Sequence, residues 1–197
     1  MITEKSNIFC ESVFDKKERN HRYRLTKIWD EKKPLVAVVT ISPSPHYNLK
    51  IDLTTTLIQS AVVSLDENKY GGFHLLNLLT KVGKTPKKGS VKDCVNKDSD
   101  KILVESCKSA EVDKIIIAWG SVSNKTKELA ARADDVVALL TPFEDKLYFL
   151  SDGKRQNLHP LTSTLRGENG RWELSKISLK KENVIPAGSW DGSIEVE

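Results

Sequence analysis

A chain of 197 residues is long enough for one substantial domain, and 39% hydrophobic with 29% charged residues is the composition of an ordinary globular protein. No apolar run approaches the roughly 20 residues of a membrane-spanning helix, and Met1-Ile2-Thr3-Glu4-Lys5 lacks the pattern of a secretion signal, so no membrane association and a cytoplasmic location are expected. A net charge of +4 and a pI near 8.8 permit nucleic acid as a partner without demanding it.

In chain order, the residues up to Asn20 show no periodicity and read as a loose lead-in. His21-Arg22-Tyr23-Arg24-Leu25-Thr26-Lys27-Ile28-Trp29 alternates basic and apolar residues, the period of a half-exposed strand. Asp30 to Pro34 makes a turn into Leu35-Val36-Ala37-Val38-Val39-Thr40, an apolar β-branched run that predicts a buried strand. A hairpin joining these two strands, the first at the sheet edge, is the expected arrangement. Ser42-Pro43-Ser44-Pro45 ends the buried strand, because proline continues neither ladder nor helix. In open α/β sheets the ligand sits outside the carboxyl ends of the strands, so this loop is where a functional site is expected.

Asp52 to Leu65 carries apolar residues at Leu53, Leu57, Ile58, Ala61 and Leu65, a helical spacing that Asp52 is placed to cap, although its β-branched residues work against a helix. Gly71-Gly72 breaks that pattern before a second buried strand, Phe73 to Leu79. Within it the amide of Asn77 must be hydrogen-bonded or face a cavity. Lys81, Lys84, Lys87, Lys88 and Lys92 then fall among Gly83, Pro86 and Gly89, which is loop chemistry, either a solvated surface or a phosphate contact. A helix over Asp98 to Ala110, a strand over Val112 to Gly120 ending in Trp119-Gly120, a helix over Asn124 to Leu140 and a strand over Lys146 to Leu150 follow. The alternation predicts an α/β fold: a three-layer sandwich on a largely parallel sheet of about four strands, with an N-terminal edge hairpin. Residues 1–20 form the lead-in, 21–170 the single domain, and 171–197 an extension opened by an amphipathic stretch around Trp172, Leu174, Ile177 and Leu179.

Cys10, Cys94 and Cys107 are widely spaced, with no C-x-x-C pair, and read as free thiols of a reducing compartment. His21, His46, His74 and His159 fall at no zinc-ligand spacing, and no acidic cluster repeats at calcium-loop intervals, so neither a metal nor another cofactor is expected.

Four features fall at predicted strand ends: Thr40-Ile41-Ser42-Pro43, Leu75-Leu76-Asn77, Ala118-Trp119-Gly120 and His159-Pro160-Leu161-Thr162-Ser163. In this order they resemble the uracil-DNA glycosylase superfamily. There a first strand ends in a Gly-x-Asp-Pro or Gly-x-Asn-Pro loop, a second carries a base-reading Asn, a third ends in Trp-Gly and the last leads into His-Pro-Ser. A closer resemblance, over roughly residues 20 to 166, is to the bacterial domain of unknown function numbered 1643. It is carried by Arg22-Tyr23-Arg24-Leu25 through Trp29, Pro43-Ser44, Asp52 and Thr54, Gly71-Gly72, Asn77-Leu78, Trp119-Gly120 and His159-Pro160-Leu161. Each motif is weak alone, and their shared order makes the set moderately specific.

The glycosylase resemblance implies a glycosylase-like fold, DNA as partner, and removal of a flipped base, ordinary or modified, in repair or in defence against phage. Asn77 would read the base edge, with Pro43, Ser44 and His46 beside it, and His159 would hydrogen-bond the departing base oxygen. Ser42 stands where the superfamily places Asp or Asn, and a neutral hydroxyl is no base near neutral pH. Asp52 is the nearest carboxylate to substitute. Leu165 or Leu161 would fill the gap left by the extruded base, Arg166 would hold a flanking phosphate, and Lys84, Lys87 and Lys88 would meet phosphates beside the pocket.

Plainer readings stand beside these: Ser42 as a turn serine, Asp52 as a helix cap, Asn77 as a tie to a neighbouring backbone, the leucines as core. Besides an enzyme, the chain reads as a binding module that has lost the chemistry, or as a small-molecule or nucleotide hydrolase on the same layered fold.

Overall fold

The computed structural model describes residues 1–45, 50, 52–83, 90–122, 126–166 and 171–178. His46, Lys84, Lys87 and Lys88, and the tail from residue 179, lie outside the described residues. In chain order the elements are β1 (Phe9–Phe14), β2 (Arg22–Ile28), β3 (Leu35–Thr40), α1 (Leu53–Ser64), β4 (Gly72–Asn77), α2 (Ser99–Lys108), β5 (Val112–Ile117), α3 (Lys127–Leu140), β6 (Leu147–Ser151) and β7 (Glu173–Lys176).

The apolar runs of β4, β3, β5 and β6 form a parallel quartet at the centre of one seven-stranded sheet, ordered β1-β2-β4-β3-β5-β6-β7, and antiparallel strands flank it on both sides. The expectation of about four strands thus covers only the parallel part. Every residue of β3 and β4 is buried, which is why both read as continuous rather than alternating hydrophobic runs.

The hairpin expected between β2 and β3 does not form. β4 lies between them, antiparallel to β2 and parallel to β3. Both sides of the Asp30 to Pro34 turn clamp Gly71: Trp29 and Asp30 donate their N–H groups to its carbonyl, and its own N–H reaches the Pro34 carbonyl. A Cβ on Gly71 would lie 1.9 Å from the Asp30 carbonyl oxygen, and one on Gly72 2.4 Å from that of Lys27. The Gly-Gly pair is therefore what lets β4 enter this slot.

Residues 9–14, read as part of a loose lead-in, form the edge strand β1, and residues 173–176 of the expected extension form the opposite edge, β7. Edge strands of this kind carry mixed side chains and no long apolar run, so periodicity misses them.

Helices cover both faces. On one, Ile58 and Val62 of α1 pack on Val36, Val38, Phe73, Leu75 and Ile116. On the other, α2 and α3 bring Leu103, Cys107, Leu129, Val136 and Leu140 onto Ala37, Val39, Leu76, Ile115, Ile117 and Phe149. Each such aliphatic side chain contributes about 1.5–3 kcal/mol on burial. That packing, with the Asp52 cap, holds α1 helical despite Thr54-Thr55-Thr56 at its start. Leu158, Leu165 and Trp172 complete the α1-side core, so the chain leaving β6 folds back over the sheet toward the end where β3 stops. The chain leaves β3 into α1 on one face and β5 into α3 on the other, and loops diverging in this way open a crevice at the strands' carboxyl ends. No helix among the described residues is long and apolar enough to cross a membrane.

Candidate functional site

A cleft of about 260 Å³ opens at that end of the sheet. The loop after β3 brings Ser42, Pro43, Ser44 and Pro45 to it, with Thr40 from the strand itself. The first turn of α1 brings Asp52, Thr54 and Thr55; the sheet brings Arg22 and Leu75; Gly83 and His159 come from the loops after β4 and β6. Ser42, Pro43, Ser44, Asp52 and His159, singled out in sequence and separated by more than a hundred residues, therefore line one cavity.

Asn77 is at the same end but one layer back. It closes β4 opposite Thr40 of β3, is 3% exposed, and donates through Nδ2 to Thr40 Oγ1 at 2.6 Å. Its Oδ1 is buried without a hydrogen-bond partner. The amide expected to read a ligand directly thus bonds to Thr40, a residue of the cleft lining, and ties strand to strand.

Asp52 caps α1. Its Oδ1 accepts from the Thr55 N–H at 3.1 Å and its Oδ2 from the Thr55 hydroxyl at 2.8 Å, which fixes the carboxylate at the cleft. Each oxygen keeps a lone pair for a further donor.

His159 is seated by its own turn and by Gly120. The His159 N–H donates to Thr162 Oγ1 at 3.3 Å, the Thr162 N–H returns to the His159 carbonyl at 2.8 Å, and His159 Nδ1 accepts from the Leu161 N–H at 3.1 Å. With Nδ1 an acceptor, the neutral ring carries its proton on Nε2. Gly120 has φ +69°, and a Cβ there would sit 3.3 Å from His159 Cβ, so the Trp119-Gly120 turn is glycine both for its conformation and for the close approach of the histidine loop. The loop is pinned further along by Asp152, which accepts from Arg155 and from the Thr164 hydroxyl. These bonds, that from Arg155 foremost, hold the Asp152 carboxyl far below the usual carboxylate range.

Of the two leucines that the glycosylase resemblance offers as a wedge, Leu165 takes the plainer, core position. It is 3% exposed and belongs to the core beneath this loop, whereas Leu161 is 38% exposed at the turn. Arg166 is exposed.

Among the cleft residues that sequence reasoning did not single out as a site, with Thr40, Thr55, Leu75 and Gly83, is Arg22. Simple alternation places Arg22 and Arg24 on one face of β2, but the pairing of β1 with β2 steps from Val13↔Arg24 to Phe14↔Arg22, leaving Tyr23 as an extra residue. Tyr23 and Arg24 consequently both meet the α2 side: Tyr23 Oη accepts from Asn96 at 2.7 Å, and Arg24 donates to Ser106 Oγ at 3.4 Å. Arg22 is turned the other way, into the cleft, and is 1% exposed. Burial pulls its guanidinium down to about 10, against the pull of Asp52, so it stays charged at neutral pH. Nothing in the string His21-Arg22-Tyr23-Arg24 announces the bulge. Among the described residues no group of three or more His, Cys, Asp or Glu gathers to hold a metal ion.

A mixed, doubly wound α/β domain with a polar cleft at the carboxyl ends of its parallel strands is the class that fold and site define. The chain belongs to the family described as Protein of unknown function (DUF1643), whose family model matches residues 22–161. That match opens at Arg22 and includes Ser42, Asp52, Asn77 and His159. No curated protein and no solved structure matches the chain, so the likeness to the uracil-DNA glycosylase superfamily rests on motif order alone.

Proposed function

We propose that the cleft receives a nucleobase, ordinary or modified, turned out of DNA, and that the protein hydrolyses its N-glycosidic bond. The observation that carries this reading is the convergence of Ser42, Asp52 and His159 from three separate loops on one cavity. Its volume, slightly under the roughly 300 Å³ at which small-molecule pockets begin, suits a base rather than a larger metabolite.

In the reaction the C1′–N bond breaks with its electron pair leaving on the base. His159 Nε2–H donates a hydrogen bond to the base oxygen on which that charge collects. The Asp52 carboxylate, held by Thr55, faces the positive charge developing on the sugar and takes a proton from the water as its oxygen bonds to C1′; the departed base gains that proton and leaves neutral. Ser42 supplies a hydroxyl for water or ligand, not a base. Lys84, Lys87, Lys88 and Arg166 supply cations for the phosphates of the DNA. Repair, or defence against phage with altered bases, is the setting such a reaction serves.

The test is incubation with duplex and single-stranded DNA carrying different base modifications, followed by alkali to cut at abasic sites. Strand cleavage that His159→Ala and Asp52→Asn each abolish, with melting temperature retained, supports the reading; no cleavage of any substrate defeats it. A specific observation favours a second reading, a binding module without chemistry: the glycosylase position of the water-activating acid is occupied by Ser42. Saturable binding without abasic product selects that alternative.

A further inference from the structure

We infer that Thr40 is a ligand-contacting residue of the cleft, that its hydroxyl donates to an acceptor atom of the base, and that Asn77 is the positioning residue that turns the hydroxyl proton toward the cleft. This rests on the cleft's being a base-binding site and gives the chemistry of the base edge that enters deepest: a carbonyl oxygen or an unprotonated ring nitrogen.

The placement follows from strand alternation. Along β3, Leu35, Ala37 and Val39 belong to the core on the α2 and α3 side, and Val36 and Val38 to the core under α1. Thr40 continues the second series, so its side chain is on the α1 face. The same count along β4 puts Asn77 with Phe73 and Leu75 on that face. The cleft lies there too, since Leu75, Asp52 and Thr55 line it together with Thr40. Thr40 is therefore a floor residue at the level of the sheet, whereas Ser42, Asp52 and His159 reach the cavity from loops.

Hydrogen-bond arithmetic decides what Thr40 offers. A threonine hydroxyl has two lone pairs and one proton. Asn77 Nδ2 fills one lone pair at 2.6 Å, and among the described residues no acceptor takes the Thr40 proton. A hydroxyl that accepts a hydrogen bond becomes a stronger donor in turn. The strand pair does not need the Asn77 side chain as a tie: besides the ladder itself, the Leu78 N–H reaches the Thr40 carbonyl at 2.8 Å and the Leu79 N–H the Ile41 carbonyl at 2.9 Å. Asn77 is 3% exposed and its Oδ1 is buried without a partner, a cost that an apolar residue would not carry. An amide turned over would take the Thr40 proton on Oδ1 and leave both Nδ2 N–H groups without an acceptor among the described residues, the rarer defect. Oriented as it is, Asn77 closes the inward direction to the Thr40 proton, and the cleft is what remains.

The experiment is an equilibrium titration of the whole chain with the four common deoxynucleosides, which carry no phosphate to meet the surrounding cations, repeated on variants with the one that binds tightest. Thr40→Val keeps the shape without the hydroxyl and should weaken binding about two- to tenfold, the worth of one hydrogen bond, while Thr40→Ser, which keeps the hydroxyl, should stay within about twofold of the parent. Asn77→Asp separates positioning from tying: a carboxylate still bonds to Thr40, but as the acceptor, and so turns the proton away from the cleft. It should weaken binding as much as Thr40→Val does and add nothing further in the Thr40→Val background, because both remove the same contact. Affinity unchanged in Asn77→Asp, losses that add in the double variant, or binding indifferent to Thr40→Val would overturn the proposal while the base-binding reading stands. Binding of none of the four deoxynucleosides overturns both. Should Asn77→Asp not fold, the Asn77 side-chain amide resonance of the unmodified chain decides: it should shift through the Thr40 hydroxyl when the nucleoside binds, and an unmoved resonance overturns the positioning role. Failure of DNA cleavage with these binding differences intact removes the hydrolysis reading and leaves this one in place.

Discussion

Leu165→Ala separates two readings of the loop after His159, because a wedge residue and a core residue respond in opposite ways. Leu165 is 3% exposed and packs in the cluster that includes Leu158, Trp172 and Ile58. Truncation removes about three carbon groups at roughly 0.8 kcal/mol each, and the cavity left behind raises the loss to about 2–5 kcal/mol. For a chain of this size that is a fall in melting temperature of roughly 5–15 °C. In urea the midpoint should drop with the slope unchanged. Leu161→Ala, at a side chain 38% exposed, should stay within about 1 kcal/mol of the parent. A Leu165→Ala protein destabilised by less than about 1 kcal/mol, with DNA binding abolished, would refute the core assignment and restore Leu165 as a wedge.

Gly120→Ala should destabilise by about 1–2 kcal/mol from its left-handed backbone alone, and the 3.3 Å approach to His159 Cβ means the histidine loop must shift as well; unchanged denaturation and an unmoved His159 resonance would count against that close approach. Burial, and then Arg24, pull the His74 imidazole down to about 4, while Nδ1 sits 2.9 Å from the Thr26 hydroxyl. Between pH 4 and about 6.5 the unfolded chain therefore binds more protons than the native one, so this stabilisation is present above about pH 6.5 and lost as pH falls, up to about 3 kcal/mol. His74→Gln should flatten that limb of the stability profile relative to the parent, and two parallel profiles would show that His74 does not titrate this way. Replacing Lys84, Lys87 and Lys88 together by Ala should weaken DNA binding and reduce its salt slope by about one unit for each phosphate no longer neutralised, whereas an unchanged slope assigns the loop to solvent.

The parallel quartet was legible because β3, β4, β5 and β6 are buried on both faces and so write themselves as apolar runs. Their partners were not. β2 hides Thr26 and Lys27 in the interior, with Lys27 donating to Gln59 of α1 at 3.2 Å, and a strand whose polar residues are buried looks half exposed to a reading by period. Its pairing with β4 instead of β3 depends on the Gly71 slot, a long-range fact of packing. Within the site, Ser42, Asp52 and His159 stood out because each interrupts or follows an apolar strand. Arg22 lies inside a strand, and only an extra residue in the register sends it to the cleft.

Capping and chemistry are not competing explanations of Asp52, and the neighbouring charge shows why. A cap requires a short acceptor at the start of α1; Asn or Ser would serve nearly as well as Asp. It requires no cation on the far side, and none would be retained there for the helix, since withdrawing a guanidinium from water costs several kcal/mol. Arg22 is nevertheless buried at the same cavity, influenced by Asp52 and charged at neutral pH. The cap explains why the carboxylate keeps one orientation, through both hydrogen bonds from Thr55. The carboxylate's charge also opposes the fall of the Arg22 pKa, a contribution that a neutral capping residue would remove. On the function proposed above, the orientation that stabilises α1 is then the preorganisation a ligand meets, with the carboxylate already fixed before binding.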